Sequence, residues 1–484
     1  MAMKFAPLDI RPSAFVIGIL LIILSLFMLI PLSVGSYLGE PYVNGFLKSC
    51  MCSLFVGGLL IFAYRTSSVP QLHIRTAFFL TTAAWVAISA FGALPFMLSH
   101  NVPSFSHALF ESMSALTTTG ISTFLNFDTT PTYILVWRGL LQWLGGVGIT
   151  LMAITLLPFL RIGGMQLFAT ESSSHYEKLF PKISQVTKFL FWLYMGLTTL
   201  CISFLWLSGL PFIKAFCYGL STISTSGMPM VDGSIHYLNT PYVPWVILIF
   251  MILSASPLLL LAKIFSGNIS LYLQDSQVKA YLKTMIFASI ITTGLMWITT
   301  HDLTVMHVKS CIFHTVSMVT TSGFHDAAFQ EWASSLQIFF IFLCLIGGCT
   351  GSTSGGIKIF RFQIIYRVIK SQIYKMIFPH GVFTPVYRKK NVDTHTVYAV
   401  LTLFVLFLAL YILFAIGFTL SGFSQAKSLT LSASILSNCG SHFTSFHVMN
   451  LPEHTQWLMT LGMLLGRLEF LTVLILFTPA FWRR

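Results

Sequence analysis

The chain has 484 residues, 55% of them hydrophobic and only 8% charged, with a mean hydropathy of +0.82. Soluble domains carry roughly a quarter charged residues, so the composition excludes an ordinary soluble protein and points to one that crosses a membrane many times. The net charge of +13 is gathered in clusters between apolar runs, which argues against nucleic acid as a partner and makes lipid headgroups the expected neighbours.

A spanning helix needs about 20 mostly apolar residues. Ten runs qualify, at roughly 13–35, 43–64, 77–99, 131–160, 189–210, 241–265, 285–300, 334–370, 397–421 and 454–480. The first lacks a small-residue cleavage site and is expected to be retained. Lys and Arg gather at 161–188, 263–283 and 358–390, with Arg65, Arg75, Arg483 and Arg484 added. The positive-inside bias places these stretches, and both termini, in the cytoplasm. The eight cysteines show no zinc spacing or disulfide framework. They read as small buried side chains, except Cys439, which lies in a polar loop. The dispersed histidines suggest no metal site.

Four segments are expected on the outer side: 100–130, 211–240, 301–333 and 422–453. Each opens with an apolar stretch too short to span, such as SFSHALFESMSAL (104–116) or PFIKAFCYGLSTI (211–223). Each then reaches a polar loop with one glycine: TTTGIS (117–122), STSGMP (224–229), TTSGFH (320–325) and SNCGSH (437–442). A serine stands six residues before every one of these glycines: Ser114, Ser221, Ser317 and Ser434. The stretches read as re-entrant half-helices that return as extended backbone, which is tolerated at membrane depth only inside protein or beside water. The expected fold is an all-α polytopic membrane protein. Two extra helices (1–70) precede four pseudo-repeats of helix, half-helix, loop and helix, at 71–165, 166–268, 269–375 and 376–484.

Such loops suit a small cation. Backbone carbonyls and hydroxyls replace a hydration shell without fixed charge, so the ion can leave again. Glycine permits the unusual backbone that turns a carbonyl toward an axis. The candidate ring is Thr118, Thr119, Gly120 and Ile121; Thr225, Ser226, Gly227 and Met228; Thr321, Ser322, Gly323 and Phe324; and Asn438, Cys439, Gly440 and Ser441. In the fourth loop Asn438 and Cys439 replace hydroxyl residues, so fourfold symmetry is expected to be weakest there.

The eighth span is interrupted by GGCTGSTSGG (347–356). A phosphate-binding loop is dismissed, because Ile357 separates Gly356 from Lys358. At 1.5 Å per residue, Gly347 and Arg467 both lie roughly 20 Å below the outer ends of their helices. Carbonyl groups freed by the interruption are the expected partners of this costly buried arginine. Gly347, Gly348, Gly351, Ser352, Thr353, Gly355, Gly356, Lys358 and Arg467 therefore form a candidate gate. Glu111 and Arg138 lie at similar depth and read as a structural ion pair. Glu469, about 200° round the helix from Arg467, is expected to face protein.

These loops, together with RGLLQWLGGVGI (138–149), GGMQLFATES (163–172), GGCTGSTSGGIK (347–358) and LLGRLEF (464–470), resemble the membrane subunit of the bacterial Trk potassium-uptake system, within the Trk/Ktr/HKT superfamily. The resemblance covers nearly the whole chain. It implies one pore per chain, with K+ as the transported ion and no organic cofactor. It implies potassium preference, since all four glycines are kept, whereas serine at one position goes with sodium permeability. It assigns gating to the interrupted helix. It also implies a bacterial inner-membrane location, a homodimer and a cytoplasmic nucleotide-binding regulatory subunit of the TrkA type. Proton- or sodium-coupled symport through the same pore is the alternative, with no clear carboxylate relay to serve it. A membrane enzyme would need a cluster of nucleophile, acid and base or metal ligands, and none is evident in the sequence; a sensor or scaffold would not require four such loops.

Overall fold

The computed structural model describes residues 9–65, 74–99, 102–124, 126–155, 183–230, 240–265, 267–301, 304–325, 332–388, 390–440 and 448–482. The run 163–172 and Ser441 lie outside these residues, as do the expected divisions at 70/71 and 165/166.

Almost every described element is helical. Two helices, α1 (Arg11–Leu38) and α2 (Asn44–Ala63), precede the rest. A first unit follows: α3 (Ile74–Leu98), the short α4 (Phe105–Leu116) and α5 (Thr132–Thr155). The second unit comprises α6 (Ile183–Leu207), the short α7 (Phe212–Ile223), α8 (Val243–Ser254) and α9 (Leu258–Phe265). After the linking α10 (Ile269–Gln274), the third has α11 (Ser276–Thr300), the short α12 (Val305–Val319), α13 (Ser334–Ile346) and α14 (Ile359–Ile377). A two-stranded hairpin, β1 (Val386–Tyr387) and β2 (Lys390–Asn391), leads to the fourth: α15 (Thr394–Leu420), the short α16 (Gln425–Ser437), α17 (Glu453–Arg467) and α18 (Leu471–Leu474). The division expected at 375/376 falls within α14.

Seven of the described helices are long and apolar enough to cross a membrane, or nine if each bent pair counts as one span. The chain is a multi-pass membrane protein. Three of the ten runs read from the sequence are not single straight helices. The run 241–265 bends by 110° between α8 and α9, and 454–480 bends by 108° after Arg467. The run 334–370 breaks at the glycine-rich segment, as its composition predicts.

Packing closes the units into a ring. Each short helix packs on both long helices of its own unit. The helix after each loop then packs on the short helix of the next unit: α5 on α7, α8 on α12, α13 on α16, and α17 back on α4. The order round the ring is therefore chain order, and the four short helices end near its centre. The outer α1 and α2 cross closely, because a Cβ at Gly18 or Gly57 would meet the other's carbonyl oxygen at 2.8 Å; small residues allow such approaches. Glu40, just past α1, accepts from the backbone of Thr132 and Tyr133 at 2.9 and 3.2 Å. This carboxylate satisfies free N–H groups at the start of α5.

Candidate functional site

Each short helix ends in the same way. The N–H two residues before the glycine reaches back three residues: Thr118 to Ala115, Thr225 to Thr222, Thr321 to Met318 and Asn438 to Ile435. The next N–H reaches back five, from Thr119, Ser226, Ser322 and Cys439 to the carbonyls of Ser114, Ser221, Ser317 and Ser434, at 2.9–3.0 Å. This pattern ends a helix with one left-handed residue, usually glycine. Here it is Thr118 (φ 56°), Thr225 (53°), Thr321 (54°) and Asn438 (51°). Threonine is β-branched and resists this conformation, at a cost of about 1–2 kcal/mol; asparagine adopts it more readily. The glycines that follow are also left-handed, with φ of 84°, 62°, 76° and 82°.

The repeated serine is a brace. Ser114 and Ser317 donate to the carbonyls of Ile121 and Phe324, at 2.5 and 2.6 Å, and Ser434 donates to that of Gly440 at 2.5 Å. Ser221 accepts from the Met228 N–H at 3.0 Å. Its hydroxyl is the side chain placed where helix and returning strand run side by side. The serine spacing was visible in the sequence; its task was not.

The loops meet through their glycines. A Cβ on Gly120 would overlap the Ser226 carbonyl oxygen, one on Gly227 that of Ser322, and one on Gly323 that of Cys439. On Gly440 it would meet the Thr119 carbonyl oxygen at 3.0 Å, which closes the circle. Four carbonyls, each just before a glycine, are thus packed against the next loop's glycine. Through Gly440 the fourth loop keeps this succession of contacts, but its serine braces the carbonyl of the glycine itself and not that of the next residue. Asn438 donates to Thr119 Oγ1 at 2.9 Å and to the Met463 carbonyl at 3.0 Å.

Among the described residues, the charged support of a loop is found at the first. Arg138 Nε lies 2.7 Å from Glu111 Oε1, and both side chains are buried. Glu111 also accepts from Ser122 Oγ, the Thr123 N–H and Thr123 Oγ1, at 2.7–3.2 Å. The guanidinium lies over the Phe124 and Phe127 rings, 5.4 and 4.8 Å from their centres. The pair therefore anchors the strand leaving the first loop.

The interrupted segment lies against the ends of the short helices. Its neck is pinched by Gly347 and Gly356, where a Cβ on Gly356 would stand 2.9 Å from the Gly347 Cα. Both have positive φ, as do Gly351 and Lys358. The Gly355 N–H donates to Thr321 Oγ1 at 2.8 Å, and the Gly356 N–H to the Ser437 carbonyl at 3.1 Å. Thr353 Oγ1 donates toward the carbonyls of Ile223 and Ser254, 3.2 Å from each. Ser352 closes the segment on itself by donating to the Cys349 carbonyl at 2.6 Å. The Gly351 carbonyl accepts from the Leu258 N–H at 3.1 Å, and the Gly348 N–H donates to Ser354 Oγ at 3.1 Å.

Arg467, the last residue of α17, joins this segment to the first unit. It donates to the Thr353 carbonyl at 2.9 Å and to the Gly145 carbonyl at 3.3 Å. Glu469 does not reach its partners by helical phase, because the helix ends at Arg467 and both Glu469 and Phe470 have positive φ. That turn carries its carboxylate to Arg361 at 2.7 Å and to Lys358 at 3.9 Å. This three-charge cluster was not legible in the sequence, since its members come from two breaks far apart in the chain. Among the described residues, no group of three or more His, Cys, Asp or Glu side chains converges.

Comparison with known proteins agrees with this architecture. The chain matches the TrkH family of cation transport proteins over residues 43–484. It is 33% identical over 478 residues to the Trk system potassium uptake protein TrkI of Halomonas elongata, covering 97% of this chain and 96% of that one. It is 30% identical to TrkG of Escherichia coli K12, covering 96% and 97% of the two chains. The crystal structure of the potassium transporter TrkH from Vibrio parahaemolyticus is similar, with a TM-score of 0.90 at 28% identity over 98% of this chain and all of that one. This chain belongs to the TrkH family, a family of transporters and not of enzymes.

Proposed function

We propose that the chain takes up potassium through a gated pore whose filter is the ring of four glycine loops. The observation that carries this reading is the closed succession of Gly120, Gly227, Gly323 and Gly440 against the carbonyls of Ser226, Ser322, Cys439 and Thr119. A ring of carbonyl oxygens without fixed charge suits a cation that must be bound and released. The relatives named potassium uptake proteins support the choice of ion. Conduction is favoured over proton or sodium coupling because Glu111 and Glu469, both within the helical body, are engaged in ion pairs.

The segment 347–356 and Arg467 form the gate in this reading. The segment lies beneath the loops, bonded to Thr321 and Ser437, and Arg467 fastens it to α5. The basic stretches and both termini face the cytoplasm of a bacterial inner membrane. A nucleotide-binding regulatory subunit rests on that face and moves the gate, and two copies pair with one pore each. Rubidium flux into proteoliposomes tests the whole reading. The parent protein should carry rubidium, and Gly120→Ser should lose its preference over sodium. Absence of flux from well-folded parent protein would overturn the proposal. Arg467→Ala should raise flux or free it from regulation; unchanged flux and regulation would remove the arginine from the gate.

A further inference from the structure

The hydroxyls behind the ring divide the four loops into two kinds. Thr119 and Ser322 each stand just before a ring glycine, and each supplies a ring carbonyl. Thr119 Oγ1 lies 2.8 Å from Thr117 Oγ1, which donates to the Met113 carbonyl of α4 at 2.7 Å. Ser322 Oγ lies 2.9 Å from Thr320 Oγ1, which donates to the Val316 carbonyl of α12 at 2.8 Å. A hydroxyl has a single proton. Thr117 and Thr320 commit theirs to the helix, so Thr119 and Ser322 are the donors within each pair. The first relay also receives an amide from the fourth loop, because Asn438 donates to Thr119 Oγ1 at 2.9 Å. All five side chains are buried.

The second and fourth loops are built differently. Ser224 Oγ donates to the Leu220 carbonyl of α7 at 2.8 Å, but Ser226 Oγ is buried without a hydrogen-bond partner among the described residues. Ser437 Oγ is buried in the same way, and Cys439 offers only a thiol, a weak donor, 3.9 Å from the Met318 carbonyl oxygen. The two relays therefore stand opposite one another, since the order round the ring is chain order. We propose that Thr117, Thr119, Thr320 and Ser322 are positioning residues that set the ion preference of the ring. Their relays brace one diagonal of carbonyls and leave the other, from Ser226 and Cys439, compliant.

This inference rests on the reading that the ring conducts potassium. Sodium is the smaller ion, so the oxygens that bind it must close further inward. Resistance to closing is one way in which a carbonyl filter distinguishes the two ions. Each relay ties a carbonyl-bearing residue to the last turn of its own short helix through linked bonds, and such bonds strengthen one another in a buried setting. Breaking one link frees a carbonyl of the braced diagonal and lowers the cost of admitting the smaller ion.

Reversal potentials of the full-length protein under opposed potassium and sodium gradients test the proposal, with rubidium flux into proteoliposomes alongside. Thr117→Val and Thr320→Val keep the branched shape, remove the middle hydroxyl and leave the ring residues intact. Each should raise the sodium-to-potassium permeability ratio by about two- to tenfold, the weight of one hydrogen bond. Ser322→Ala breaks the third relay from its other end without adding bulk, and should give the same shift even where a valine variant does not fold. Combined with Thr320→Val it should shift the ratio no further than either change alone, because both break one relay. Ser224→Ala removes the matching hydroxyl of the second loop and should leave the ratio unchanged. A purely structural defect would lower rubidium flux at an unchanged ratio. An unchanged ratio in conducting Thr117→Val, Thr320→Val and Ser322→Ala, additive shifts in the double variant, or an equal shift in Ser224→Ala would each overturn the relays. Absence of flux from the parent would overturn the pore reading and this one with it, whereas normal flux with an unchanged ratio overturns the relays alone.

Discussion

Residues 117–120, 224–227, 320–323 and 437–440 share their backbone bonds position by position, whereas the helices that follow them differ in every unit. After the first loop, α5 runs unbroken to Thr155. After the second, the chain bends by 110° at Ser254–Leu258. After the third, it unwinds from Gly347 to Lys358, and after the fourth it bends by 108° beyond Arg467. The loops are alike because each packs its glycine against its neighbour, so the geometry of one constrains the next. The inner helices face no such closure. Their breaks interlock instead: the third unit's segment donates backbone N–H bonds to the carbonyls of Ala255, Ser254 and Ser437, and Arg467 donates to its Thr353 carbonyl. Likeness belongs to the ring, and difference to the layer beneath it.

The largest departure from likeness within the ring is the Glu111–Arg138 pair, which has no counterpart in the other units among the described residues. Glu111→Ala would leave Arg138 charged and buried, and would remove the acceptor of Thr123. Breaking one partner of a buried pair costs about 3–5 kcal/mol. Thermal unfolding in detergent should show a loss of that order. A change within about 0.5 kcal/mol, the range of an ordinary surface substitution, would mean that the first loop needs no charged anchor.

The glycines offer a finer comparison. A methyl group at Gly227 overlaps the Ser322 carbonyl, while at Gly440 the nearest atoms stand at 3.0 Å. Overpacking typically costs about 1–3 kcal/mol. If that cost falls on the conducting geometry, Gly227→Ala should lower rubidium flux by roughly ten- to a hundredfold, and Gly440→Ala by less. Equal losses at the two positions would show that the four glycine contacts are equivalent in solution.

The smallest expected effect concerns the left-handed residues. Thr225→Asn places in the second loop the residue type that the fourth already uses. Relief of the β-branched strain should stabilise the protein by about 1 kcal/mol with flux retained. Destabilisation would mean that the threonine hydroxyl, which bonds the Ser224 carbonyl at 2.7 Å, matters more than the backbone strain.

Much of this molecule was legible in its residues. Length and hydropathy determined a polytopic membrane protein, because a helix must bury about 20 apolar residues to cross lipid. The short apolar stretches before each glycine marked the half-helices, since they cannot span. Glycine clustering marked the break at 347–356, because glycine weakens a helix wherever it stands. Other features depended on which residues meet in space. The bend beyond Arg467 interrupts a run whose composition reads as continuous helix, whereas the one beyond Ser254 falls at Pro257, which cannot continue a helix. Glu469 reaches Lys358 and Arg361 only because two breaks lie side by side. The serine at minus six was visible as a pattern, but its hydroxyl found its partner only when helix and returning strand were placed together. Local composition sets where a helix starts and stops in lipid. Which carbonyl faces which glycine is set by the closure of four units round one axis, and that closure is decided by packing between segments far apart in the chain.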